Sequence, residues 1–195
     1  YNQVINLSYF NYKVMSSRSL YAGIFLTNNF NNIATNRTLD ALGRTINTYV
    51  NLNGGYSANI WGGLHAKIPK TPLDGKIDMN GSFAHTPNII NNTKGNTNTV
   101  SITVTPGISY TKEDKYDFSI DFGTIYSNST NQLQTSRNIQ FLSFAPSAAV
   151  NIYLLKNFEI GTDADYLYNP AVGPYSNTLH RLIWNGGISY KMLKG

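Results

Sequence analysis

The chain of 195 residues contains no cysteine, which removes disulfides, thiolate metal sites and cysteine nucleophiles together. Charge is scarce, with Asp, Glu, Lys and Arg making up 13% of residues. Although 41% of residues are hydrophobic, no run approaches the roughly 20 apolar residues of a membrane helix, so a helical membrane protein is excluded. Histidine appears three times, at His65, His85 and His180, with no two at a metal-ligand spacing. No H-E-x-x-H, P-loop, G-x-G-x-x-G or G-x-S-x-G motif occurs, so neither an enzyme nor a cofactor is expected. The net charge of +5 comes from fifteen scattered Lys and Arg rather than a basic run. Nucleic acid, which requires a basic patch interleaved with aromatics, is not expected as a partner.

What is abundant is Asn, Thr, Ser and Gly, together with 14 Tyr and 9 Phe. β-branched and aromatic residues favour strands, and neutral polar ones suit loops and a watery lumen. The stretch TVSITVTPGISYTKEDKYDFSIDFGTIYSNS, Thr99–Ser129, shows the consequence. Val100, Ile102, Val104, Pro106, Ile108 and Tyr110 fall on one face of a strand; the turn KEDK follows; then Tyr116, Phe118, Ile120 and Phe122 share a face against Asp117, Ser119, Asp121 and Gly123. Two arms of about ten residues exceed the usual five or six of a soluble strand and match the 9–11 or so that a tilted strand needs to cross a bilayer.

The same unit recurs. Strands are predicted near Gln3–Lys13, Ser19–Asn32, Arg44–Lys67, Lys76–Pro87, Thr97–Thr111, Tyr116–Asn128, Arg137–Leu155, Phe158–Tyr168 and Leu179–Met192, about nine in all. Connections alternate between compact turns (Met15–Arg18, Pro69–Gly75, Lys112–Lys115, Leu155–Asn157) and longer loops rich in Asn, Ser, Thr, Gly and Pro (Asn36–Gly43, Asn88–Asn96, Asn128–Ser136, Asn169–Thr178). Outer-membrane barrels sort their periplasmic turns and extracellular loops in this way. Pro106 and Pro146 inside strands predict bulges or local breaks in pairing.

Alternation assigns faces along the whole chain. Asp78, Asp117, Asp121, Glu159, Asp163 and Asp165 fall on the polar face and are the candidate lumen-facing residues. Phe118, Ile120, Phe122, Trp184 and Ile188 are the candidate lipid-facing residues. Aromatics such as Tyr12, Tyr21, Tyr110, Tyr116, Tyr126, Tyr153, Tyr168 and Trp184 sit toward strand ends, where amphipathic rings meet headgroups, though ordinary sheet packing would also place them there. Asp163 and Asp165, two residues apart, have the spacing of paired catalytic or metal-binding carboxylates and equally that of a polar lumen wall. The histidines read as lumen or rim residues. Asn36-Arg37-Thr38, Asn91-Asn92-Thr93 and Asn128-Ser129-Thr130 match the glycosylation pattern, as an Asn- and Thr-rich chain does by chance.

VNLNGGYSANIWGGLHAKIPK (Val50–Lys70), FAHTPNIINNTKGNTNTVSITVTPGISY (Phe83–Tyr110) and LHRLIWNGGISYKMLK (Leu179–Lys194) resemble the carboxy-terminal half of the barrel of TonB-dependent receptors from the Bacteroidetes. The resemblance implies an all-β, antiparallel transmembrane β-barrel of about 22 strands. It further implies a bacterial outer-membrane location, nutrient uptake driven through TonB by a plug domain, contact with outer-membrane lipid, and a surface lipoprotein lid or another outer-membrane partner. Residues 1–195 contain neither plug nor TonB-contact segment and about nine strands, so a partial barrel domain, a fragment, is expected.

Two function classes follow: a transport barrel, and a barrel that serves as scaffold or assembly partner without active transport. A secreted β-sandwich that binds glycans is the third. A plug and TonB-contact segment upstream would select the first, and solubility without detergent would select the last.

Overall fold

The computed structural model describes residues 1–14, 17–113, 115–154, 157–172, 177–190 and 192. They form one sheet of eleven strands: β1 (Asn2–Lys13), β2 (Arg18–Asn29), β3 (Asn32–Leu39), β4 (Thr45–Leu52), β5 (Gly55–Lys67), β6 (Asp74–Ile90), β7 (Thr93–Lys112), β8 (Tyr116–Asn131), β9 (Ile139–Leu154), β10 (Phe158–Asn169) and β11 (Leu179–Tyr190). Nine of these follow one another as a meander, β1-β2-β5-β6-β7-β8-β9-β10-β11, with every neighbouring pair antiparallel. The expected nine strands are therefore eleven. The two additions come from the β2–β5 connection, which folds into a hairpin of its own, β3–β4, instead of extending the flanking strands. The sheet is open, and no pairing joins β1 to β11 among the described residues.

A second correction concerns Asn88–Asn96, expected as a long loop. The pairing of β6 with β7 continues to Ile90 and Thr93, so Asn91 and Asn92 alone make the turn. Both have positive φ, 49° and 61°, as a type I′ turn requires, and Asn tolerates that backbone better than most residues. The β3–β4 hairpin leans on this tip: the Asn91 N–H donates to the Arg37 carbonyl at 3.0 Å, beside a single parallel bridge between Arg37 and Ile90. Of the expected turns and loops, Met15, Ser16, Asp114, Leu155, Lys156 and residues 173–176 lie outside the described residues.

Pro106 and Pro146 break pairing without shifting it. The β7–β8 register runs from Val104↔Thr124 to Gly107↔Asp121 with the intervening pairs missing, while on its other side Pro106 pairs with Ile77 normally. Pro146 likewise pairs with Phe122 but opens a gap toward β10. Each gap lies on one side only, as expected of a residue that lacks just the N–H donor.

No layer covers the sheet. Among the described residues the buried hydrophobic side chains are Leu52 and Ile89, and both belong to the region where the hairpin meets the β6 tip. Ile77, Met79, Ile120 and Phe122, inside their strands on the apolar face, are 44–50% exposed. The accessible surface is 13854 Å², against about 9,200 Å² for a compact soluble monomer of this mass. A sandwich would bury one face of each sheet against another; here no described residue covers the apolar face.

Candidate functional site

Register converts the alternation of single strands into two continuous faces. Ile108 pairs with Ile120 and Ile120 with Ala148, while Gly107 pairs with Asp121 and Asp121 with Ser147. Followed across the sheet, these pairings put Asp78, Asp117, Asp121, Glu159, Asp163 and Asp165 on one face, and Phe118, Ile120, Phe122, Trp184 and Ile188 on the other. His65 is on the polar face. His85 stacks on Tyr56 at 4.8 Å, and the His180 Nδ1 lies 2.7 Å from the Tyr166 hydroxyl, both on the apolar face toward the loop end.

The polar face is organised by glycines that let long side chains lie across them. Tyr21, Gly63 and Asp78 are in register on β2, β5 and β6. Because Gly63 has no side chain, the Tyr21 hydroxyl passes over it and donates to Asp78 Oδ1 at 2.6 Å. His65 Nε2 approaches the same oxygen at 2.8 Å. The device repeats two strands on, where Lys76, Gly107 and Asp121 are in register and Lys76 Nζ spans the glycine to reach the two Asp121 oxygens at 2.9 and 3.0 Å.

Asp117, Asp163 and Glu159 have neutral partners. Asp117 accepts from Asn151 Nδ2 and from the Tyr153 hydroxyl, both at 3.4 Å. Asn185 donates to Asp163 at 2.8 Å and Ser189 to Glu159 at 3.3 Å. Gly161 and Gly187 pair directly between them, leaving bare backbone as the floor of an open depression of about 520 Å³. Its walls are Glu159, Asp163, Asn151, Asn185 and Ser189. Asp165 stands on the same face, two residues along β10 from Asp163.

Chemically, one half of this face ties Asp121 to Lys76 and Asp78 to Tyr21 and His65, and the other presents carboxylate and amide oxygens over a glycine floor, suited to hydrogen-bonding a polar solute. The sequence identified the carboxylates but not Tyr21, His65, Lys76, Asn151 and Tyr153 as their partners. Alternation gives the face of each residue, whereas partnership depends on register across strands far apart in the chain. Of the glycosylation patterns, Asn36 is 4% exposed, and its Nδ2 donates to Asn92 Oδ1 at 2.6 Å. That amide is already engaged.

Compared with models of known protein families and with curated proteins, the chain matches none.

Proposed function

We propose that this chain is a stretch of the wall of an outer-membrane β-barrel, part of a larger barrel of about 22 strands that takes up a nutrient in the manner of TonB-dependent receptors. The observation that carries the proposal is the uncovered apolar face, bounded at both ends by aromatic rings. Tyr116 and Tyr126 on β8, and Phe158 and Tyr168 on β10, mark its limits and are ten residues apart in each case. Ten residues rise about 34 Å along a strand, and a barrel tilt of about 40° reduces that to about 26 Å, close to the roughly 25 Å of an outer-membrane apolar band. β6 and β7, of 17 and 20 residues, outrun the band toward the loop end. A secreted sandwich finds no support in a single uncovered sheet.

The polar face would then line the lumen. The half that ties Asp78 and Asp121 to Tyr21, His65 and Lys76 serves as wall, and the carboxylate and amide half is where a polar solute makes contact.

The test is made on the full-length protein in its own cells. The protein is expected in the outer-membrane fraction, extractable only with detergent, and deletion of its gene is expected to abolish growth on at least one limiting nutrient while TonB is intact. Recovery in the soluble fraction would remove the membrane assignment. An outer-membrane protein whose deletion alters envelope assembly but no uptake would point to the scaffold class.

A further inference from the structure

The basic residues are scattered in the sequence, yet the sheet delivers six of them to one end. Lys13, Arg18, Lys67, Lys70, Lys112 and Lys115 all stand at the short-turn end, and all are exposed. The acidic residues at that end among the described residues are Asp74 and Glu113 and, one residue in from the strand ends on the polar face, Asp117 and Glu159. None of the six basic groups enters an ion pair among the described residues, where the ion pairs are Arg44 with Asp40, His65 with Asp78 and Lys76 with Asp121.

Lys13 and Arg18 moreover face each other directly across the β1–β2 pair. Like charges directly opposite in an antiparallel pair are destabilising, and no acidic side chain pairs with either one. Alternation puts Lys13, Arg18 and Lys112 on the same side of the sheet as the apolar face, Lys112 lying two residues beyond Tyr110. The Tyr110 and Tyr116 rings lie 5.7 Å apart at this level. A long cationic side chain at such a level can lay its aliphatic stem on the apolar surface and carry its charge into the headgroup layer.

We propose that this rim is a docking surface for anionic phospholipid headgroups, with Lys13, Arg18 and Lys112 reaching the phosphates of the leaflet beside the short turns. The proposal rests on the outer-membrane reading above. Short turns face the periplasm in such barrels, which makes the occupant a phospholipid of the inner leaflet and not the lipopolysaccharide of the outer one.

The full-length protein in detergent is offered phosphatidylglycerol and phosphatidylethanolamine in equal amounts, and the retained lipids are counted by native mass spectrometry. A parallel flotation assay asks whether the protein enters phosphatidylethanolamine vesicles. The expected result is entry into the vesicles and retention of phosphatidylglycerol at least about fivefold over phosphatidylethanolamine, the ratio for one such headgroup contact. The variant Lys13→Gln/Arg18→Gln/Lys112→Gln should float like the parent and lose the preference. Arg37→Gln/Lys94→Gln/Arg137→Gln, at the opposite end, should keep it. Flotation without any preference, a preference that survives the first variant, or one that disappears in the second variant would overturn the proposal alone. Failure to enter vesicles would overturn the membrane reading and the proposal with it.

Discussion

Gly63 lies within the sheet and Gly187 on its edge strand β11, both on the polar face, and a side chain would meet different surroundings at each. A Cβ on Gly63 would run into the Tyr21 hydroxyl and the Asp78 carboxylate to which that hydroxyl donates. At Gly187 there is nothing within 4 Å. Gly63→Val should therefore lower stability by about 1–3 kcal/mol, through a broken hydrogen bond to a charged group, while Gly187→Val should stay within about 0.5 kcal/mol; urea unfolding of the lipid-embedded protein measures both. On the other face, Ile120 is 50% exposed. If that exposure is to hydrocarbon, Ile120→Arg should cost about 2–4 kcal/mol near the bilayer midplane, and an unchanged unfolding midpoint would mean that this face does not touch lipid. Its neighbour Asp121 is not an innocent control, because arginine there would set a second cation against Lys76.

The β3–β4 hairpin is attached to the sheet mainly through one turn. Asn36 donates to the Asn92 side chain and accepts from the Asn92 N–H at 3.3 Å, so a buried amide is satisfied from both ends. Asn92→Gly preserves the turn geometry, since glycine accepts positive φ without strain, but it leaves the Asn36 amide without its side-chain acceptor. The hairpin should detach by about 1–3 kcal/mol and become protease-sensitive, with the sheet itself unaffected. The hairpin's own tip is held by Asp40, whose carboxylate accepts from the Leu42 and Arg44 N–H groups and from the Arg44 guanidinium. The Arg44 backbone N–H, and then its side chain, hold the Asp40 pKa below the ordinary value. A depressed carboxylate pKa contributes its stabilisation above the unfolded value, near pH 4, and loses it as pH falls through the lower folded value. A spin label at position 42 should therefore stay ordered at neutral pH and gain mobility below about pH 4. Asp40→Asn should abolish that dependence.

At the scale of the molecule, the meander has nine strands, so β1 and β11 run in the same direction. Antiparallel closure then needs an odd number of further strands between these two edges, because each added strand reverses direction. Both edges are exposed throughout, 12 residues each, and an unpaired edge cannot persist in hydrocarbon. Orientation can be read from single cysteines placed in this stretch, which has none of its own, with any cysteine elsewhere in the protein replaced. A single cysteine at Leu42, which is 77% exposed on the hairpin, should react with a bulky maleimide on intact cells. One at Lys70, in the β5–β6 turn, should react only after the outer membrane is opened. The opposite pattern would invert the assignment of loops and turns.

The nine strands of the meander, their direction and the face of the acidic and apolar candidates were legible in the sequence, because all three follow from a period of two and from local turn chemistry, whereas Tyr12, Tyr21 and Tyr153, read as headgroup aromatics, lie on the polar face. The break at Pro106 was legible for the same reason, but its confinement to the β8 side was not. The tight turn at Asn91 and Asn92 was hidden within an Asn-rich stretch that reads equally well as a loop, and the β3–β4 hairpin within two strands that looked merely long. What only the tertiary structure decided is everything that depends on register between distant segments. Tyr21 and Asp78 are 57 residues apart, and Lys76 and Asp121 are 45 apart; each pair meets over a glycine whose position carries no local signal. The basic rim has the same origin. Its members are dispersed in the sequence, and they converge because every second connection returns the chain to the same end of the sheet.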